Sequence, residues 1–129
     1  MKQTLIVFVQ DEPGVLNRIS SHIRRRNFNI ESLIAGQTER KDITRMTVVL
    51  NEPDKTKQRT VVKSLKELID VYDVIDATEI DSHIREYALV KVALKKDDLN
   101  AVNKIVESVH GKIIDGTSDA TIFELTGYE

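Results

Sequence analysis

The chain has 129 residues, of which 40% are hydrophobic and 31% are charged, and its formal net charge is −2. This composition is typical of a soluble globular protein with one sizeable hydrophobic core or two small ones. It lacks the excess of basic residues that is usual in proteins that bind nucleic acid or anionic membranes. There is no cysteine, which excludes disulfides, thiol nucleophiles and thiolate metal sites and fits a cytoplasmic location.

The first half of the chain alternates between strand and helix patterns. Four strands are predicted, at residues 5–9, 30–35, 43–50 and 71–78. A first helix is predicted at about 14–26, and a polar hairpin loop at 37–42. A second helix follows the break at 51–54, because the apolar residues beyond it form one stripe. That stripe consists of Val61, Val62, Leu65, Leu68 and Ile69.

The resulting order βαββαβ favours a four-stranded antiparallel sheet in the order 4-1-3-2. Both helices should lie on one face, because each crossover between parallel strands is right-handed. The fold class is therefore α+β, with a ferredoxin-like domain at residues 1–79 and a polar linker at 80–86.

Residues 87–129 repeat the first part of this pattern as a second, incomplete βαββ ferredoxin-like unit. Its strands are predicted at 87–94, near 112–114 and at 120–125. Asp97 should cap its helix. The apolar stripe of that helix contains Leu99, Val102, Ile105, Val106 and Val109.

The turn after the first strand is the candidate binding site. Asp11 should cap the first helix, Pro13 suits its first positions, and Gly14 leaves the backbone open to a ligand. Free N–H groups at such a helix start form a site for an anion. An ordinary capped helix start has the same signature, so both interpretations stay open here.

Catalytic chemistry has little support in the sequence. The three histidines, His22, His83 and His110, have no second ligand at metal spacing and are interpreted as surface or capping residues. The carboxylates lie in turns, caps and exposed helix faces, and no catalytic motif is present. Three arginines at 24–26 suit a helix C-terminus, and no strand has the paired aromatics of an RNA-binding sheet. We therefore predict neither an enzyme nor a nucleic-acid-binding protein.

The chain resembles the ACT domain, a module that binds amino acids and regulates metabolic enzymes. It resembles most closely the small regulatory subunits of acetolactate synthase (acetohydroxyacid synthase). The matching blocks, which span most of the chain, are residues 11–16, 26–33, 45–47, 68–71, 85–92 and 111–115. Arg45, Asp70 and Arg85 fall within these blocks, and we expect them to serve in packing or subunit contacts.

The resemblance implies a non-catalytic subunit that binds a branched-chain amino acid, most simply valine, at the interface of an ACT homodimer. It also implies stimulation and feedback inhibition of a separate catalytic (large) subunit, which would hold thiamine diphosphate, magnesium and FAD, while this chain would bind no cofactor. The implied effector-binding residues are Asp11, Glu12, Pro13, Gly14, Val15, Leu16, Asn29 and Ile30.

Two departures from the family pattern lead to further expectations. The family usually has Asn where this chain has Asp11, and a carboxylate there would repel an effector's carboxylate and could only accept hydrogen bonds. The family's second domain continues through another helix and strand, so we expect a C-terminally truncated domain. The alternative function is a stand-alone ACT-like module with no effector or with another amino-acid ligand.

Overall fold

The computed structural model describes residues 2–93, 99–117 and 119–128. The strands are β1 (Lys2–Gln10), β2 (Ile30–Gln37), β3 (Ile43–Asn51), β4 (Val71–Asp76), β5 (Glu86–Ala93), β6 (Lys112–Gly116) and β7 (Ala120–Gly127). The helices are α1 (Val15–Arg25), α2 (Lys55–Lys66) and α3 (Leu99–Ser108). The chain divides into two compact units, with the boundary between Ser82 and His83.

The first unit has a four-stranded sheet in the order β2-β3-β1-β4, in which all neighbours are antiparallel. This confirms the predicted 4-1-3-2 order. Alternate residues of the central strand β1 are fully buried, because a strand presents successive side chains to opposite faces. Their side chains pack with those of α1 and α2 into one core, which places both helices on the same face of the sheet.

Helix α2 begins as its sequence predicts, because the side chain of Asp54 accepts hydrogen bonds from the N–H groups of Thr56 and Lys57. Its buried face contains Val61 and Leu65. The predicted stripe is wrong at its far end: the helix stops at Lys66, and Ile69 is 97% exposed. The helical period no longer applies beyond Lys66, so Ile69 does not face the core.

His22 corrects another expectation, because it lies buried on α1 and is not a surface histidine. Its Nδ1 lies 3.2 Å from the Nη1 of Arg26. Burial lowers the pKa of His22, and the nearby positive charges of Arg26 and Arg25 lower it further. The buried ring therefore favours its neutral form.

The second unit has a sheet in the order β5-β7-β6 in its described part, with α3 between β5 and β6 in the chain. This confirms the βαββ pattern and leaves β5 at an edge. Val106 and Phe123 are buried, whereas Ile105 and Val109 are exposed, so only part of the predicted α3 stripe packs. The guanidinium of Arg85 stacks 3.7 Å from the centre of the Tyr128 ring. The predicted cap Asp97 and strand end Leu94 lie outside the described residues.

Candidate functional site

The candidate site is the turn that joins β1 to α1. The N–H of Gln10 donates to the carbonyl of Asp70 at 2.9 Å, and the N–H of Asp11 donates to the carbonyl of Asp42 at 2.9 Å. These two bonds fix the direction in which the chain leaves the sheet. Gly14 then adopts φ +87° as the N-cap of α1, a conformation that glycine adopts without a Cβ penalty.

The structure corrects the predicted capping of α1. The carboxylate of Asp11 does not bond to the helix start, and Gly14 occupies the N-cap position without a side-chain cap. Asp11 instead accepts hydrogen bonds from the Thr44 hydroxyl at 2.8 Å and from the Gln37 amide at 2.9 Å. Pro13 precedes the N-cap and therefore does not lie in the first positions of the helix. Asp11 thus ties the turn to β2 and β3.

Arg18, one turn into α1, holds the helix start in place. Its Nε and Nη2 donate to the two carboxylate oxygens of Asp70 at 2.6 and 2.9 Å. The side chain of Asp70 is only 11% exposed, so the pair is partly shielded from water. This contact gives Asp70 a role that the sequence pattern left open.

Several backbone donors at the helix start remain available. The N–H groups of Glu12 and Val15 donate to the carbonyls of Gln10 and Glu12. Among the described residues, no protein acceptor bonds to the N–H groups of Gly14, Leu16 and Asn17, which lie at the positive end of α1. The arrangement can therefore bind a small anion, such as a carboxylate.

A hollow of about 300 Å³ opens beside this turn. Its walls are formed by Gln10, Asp11, Glu12, Val15, Leu16, Ala35, Gly36, Gln37, Thr44 and Met46. The lining combines apolar side chains with the Asp11 carboxylate and its two hydrogen-bond donors, Thr44 and Gln37. A small ligand with a charged end and an apolar side chain matches this combination.

The contributions of β2 and β3 to this hollow were not predicted from the sequence. Ala35, Gly36 and Gln37 come from the end of β2, and Thr44 and Met46 come from the start of β3. The predicted strand order contained the necessary signal. The order β2-β3-β1-β4 brings three strand termini together at one end of the sheet. They are the end of β1, the end of β2 and the start of β3.

Asn29 and Ile30 do not lie in this hollow. They line a separate depression of about 290 Å³, together with Phe28 and residues of α1 that include Asn17 and Arg24. Within one protomer the structure therefore brings Asp11, Glu12, Val15 and Leu16 together and leaves Asn29 and Ile30 apart.

Two general properties bear on the kind of site this is. In the part of the chain that the structure describes, no three histidine or acidic side chains form a group that could hold a metal ion. No helix within the described ranges has the length and hydropathy needed to cross a membrane.

Comparison with known families gives a consistent result for both units. Residues 5–73 match the model of the AHAS small subunit-like ACT domain, and residues 85–129 match that of the small subunit of acetolactate synthase. The chain is 40% identical over 129 residues to a probable acetolactate synthase small subunit of Archaeoglobus fulgidus, covering 100% of this chain and 80% of that protein.

A second relative is the acetolactate synthase small subunit of Mycolicibacterium smegmatis, which is 40% identical over 96% of this chain and 72% of its own length. Among solved structures, the acetolactate synthase small subunit from Thermotoga maritima superposes with a TM-score of 0.89 at 28% identity, covering 98% of this chain and 79% of that one. The ACT domain from GTP pyrophosphokinase of Chlorobium tepidum shares the fold, with a TM-score of 0.53 at 17% identity over 64% of this chain and 92% of that one.

Proposed function

The chain belongs to the acetolactate synthase small-subunit family, whose members are non-catalytic regulatory subunits, and we propose that it binds a branched-chain amino acid, valine first among them. The bound effector would control a separate catalytic (large) subunit, which the small subunit activates and makes sensitive to feedback inhibition. Thiamine diphosphate, magnesium and FAD are assigned to that large subunit in this proposal.

The free donors at the start of α1, beside a half-apolar hollow, are the observation that supports effector binding most directly. The effector's carboxylate would accept bonds from the N–H groups of Gly14, Leu16 and Asn17. Its ammonium would meet the carboxylate of Asp11 or a backbone carbonyl, and its branched side chain would pack against the apolar residues that line the hollow.

The second part of the proposal concerns the dimer. β2 is an edge strand, and exposed edges tend to pair. Two protomers joined along β2 would bring Asn29 and Ile30 of one protomer toward the turn of the other, and so complete the site. Residues 1–79 would then form the effector-binding domain, with a linker at 80–86 and a second ACT-like domain at 87–129.

Two experiments test the proposal. Calorimetry with valine, leucine and isoleucine should show saturable binding of at least one of them, and the absence of binding to all three would favour a stand-alone ACT-like module. Assay of the cognate catalytic subunit with and without this chain should show stimulation that the bound amino acid reverses. A catalytic subunit unaffected by the chain would contradict the regulatory role.

A further inference from the structure

The face of the four-stranded sheet that is turned away from α1 and α2 has no covering element within the first unit. We call it the open face and define it by six side chains of its three adjoining strands β3, β1 and β4. They are Ile6, Phe8, Arg45, Thr47, Asp73 and Ile75. All six lie at the positions that alternate with the buried core residues of these strands.

The register of the sheet places three of these side chains in one row. Phe8 on β1 is directly opposite Arg45 on β3 and directly opposite Asp73 on β4. Neighbouring strands are about 4.8 Å apart, so the cation and the anion lie on either side of the ring, roughly 10 Å from each other. The next row along the strands is Thr47, Ile6 and Ile75.

We propose that the open face binds the open face of a second copy of this chain, around a two-fold axis that runs along β1. Rotation about this axis exchanges β3 with β4 and preserves the position along the strands. Arg45 of each copy then faces Asp73 of the other, Phe8 faces Phe8, and Ile6 faces Ile6. The two sheets pack in the aligned manner about 10 Å apart, and the interface is isologous.

The charges select this axis over the other two-fold arrangement that stacks the sheets. An axis lying across the strands would set β3 over β3 and β4 over β4, so that neither Arg45 nor Asp73 would face an opposite charge. Only the axis along β1 pairs each cation of the row with an anion, because Phe8 lies midway between them.

Both charged groups are available for this contact. Arg45 is exposed, and no carboxylate among the described residues pairs with it. Asp73 contacts the Nζ of Lys66 at 3.2 Å, with side chains 55% and 51% exposed. Such an exposed pair contributes little by itself, so the guanidinium of a second copy can join it. The pairing of Arg45 across the interface therefore breaks no buried contact.

The apolar groups fit the same geometry. A hollow of about 790 Å³ lies over the β2 and β3 side of the open face, bordered by Phe8, Ile34, Ile43, Arg45 and Thr47. In the two-fold arrangement β4 of the second copy lies over β3, so its Ile75 faces Thr47 at the border of this hollow. Ile75 is 37% exposed in the single chain and loses exposure on pairing.

The area sets the expected strength. Three strands overlap in this arrangement, namely β3, β1 and β4, about 4.8 Å apart and about six residues long, which gives a footprint of roughly 300 Å² for each copy. The total of roughly 600 Å² lies below the range of standard stable interfaces. The association should therefore be weak and dependent on concentration.

Sedimentation of charge-reversal variants tests the pairing. Over a concentration series, the sedimentation mass of the wild-type protein should double. Each single variant, Arg45→Glu or Asp73→Arg, should abolish this doubling. The double variant Arg45→Glu/Asp73→Arg should restore it, because the pair is rebuilt with the charges exchanged. Lys63→Glu is the matched control, since this exposed residue makes the same charge change on the helix side of the sheet. It should leave the doubling intact.

Cross-linking provides a second measurement. Because the chain has no native cysteine, only the introduced cysteine can react. Phe8→Cys lies on the proposed axis and should give a covalent dimer with a short bismaleimide. Ile69→Cys, 97% exposed at the end of α2, should not.

Three results would overturn the proposal. They are a wild-type protein without the doubling, single variants that leave it unchanged, or a double variant that fails to restore it. If the single variants instead reduced only binding of the catalytic subunit, the open face would serve that partner and self-pairing would be wrong. Effector binding measured by calorimetry is independent of all these outcomes, so failure here is distinguishable from failure of the proposed function.

Discussion

The guanidinium of Arg18 and the carboxylate of Asp70 form a two-point ion pair, with Nε–Oδ2 and Nη2–Oδ1 distances of 2.6 and 2.9 Å. The backbone carbonyl of Asp70 also accepts the N–H of Gln10. One residue thus holds both the end of β1 and the first turn of α1. The hydrogen bond to Asp70 raises the pKa of Arg18, so its side of the pair stays charged over the whole working range of pH.

Asp70→Ala should therefore loosen the turn between β1 and α1. We expect a lower melting temperature and weaker effector binding, because α1 loses the contact that sets the position of its free N–H groups. Thermal unfolding and calorimetry measure the two effects. Asp42→Ala is the matched control. The backbone carbonyl of Asp42 also accepts a hydrogen bond from the turn, but its side chain pairs with Arg40 at the exposed surface. Equal losses in both variants would show that the Arg18 pair does not position the site.

Gly14→Asp should abolish the effector response while the protein remains folded. The substitution puts a negative charge beside the N–H groups that would bind the effector's carboxylate. It also places a Cβ on a residue at φ +87°, a strain of about 1–2 kcal/mol that Gly14→Ala should show alone in chemical denaturation. Gly127→Ala is the control, because a Cβ there meets nothing within 4 Å. Unchanged valine affinity in Gly14→Asp would place the site elsewhere.

Asp11→Asn should strengthen effector binding by roughly two- to tenfold, which corresponds to about 0.4–1.4 kcal/mol. The amide removes a negative charge from the hollow and can donate to the effector's carboxylate. Its remaining oxygen can still accept from Thr44 or Gln37. Calorimetry of the two proteins under the same conditions measures the change. Weaker binding in the variant would mean that the Asp11 carboxylate holds the effector's ammonium and that this attraction dominates.

Ala35→Lys should prevent pairing along β2. Ala35 is an exposed residue of this edge strand, and a lysine there is a common means by which proteins keep edges apart. Sedimentation should show one halving of mass relative to the wild type. Ala101→Lys makes the same change on an exposed position of α3 and should leave the mass unchanged. A wild-type protein that stays monomeric at high concentration would rule out the homodimer.

The second unit should exchange its amide hydrogens faster than the first. β5 is an edge strand with Tyr87 and Leu89 61% and 60% exposed. The described core around Val106 and Phe123 is small, and small cores confer little protection. Hydrogen exchange of Glu86–Ala93 should therefore be faster than that of Lys2–Gln10 in dilute protein. Equal protection of the two strands would show that the second unit is a complete fold or that β5 has a partner.

The sequence by itself determined the fold of the first unit. Apolar alternation in β3 located a half-buried strand, the element order βαββαβ predicted the sheet order β2-β3-β1-β4, and right-handed crossovers placed both helices on one face. The family followed from short blocks of residues along the chain. The periodicity of apolar residues and the handedness of connections depend on residues that are close in sequence, so both can be predicted from the sequence. For the same reason the prediction failed at Ile69, where α2 had already ended.

Only the tertiary structure decided how the candidate site is held together. Asp11 bonds to Thr44 and Gln37, and Arg18 bonds to Asp70, across separations of 26 to 52 residues. From its residue type alone, an aspartate such as Asp11 can cap a helix, accept hydrogen bonds from a neighbouring strand or bind a ligand. Which of these contacts it makes depends on the register of the strands whose ends meet at one end of the sheet. That register is set by packing of the whole domain.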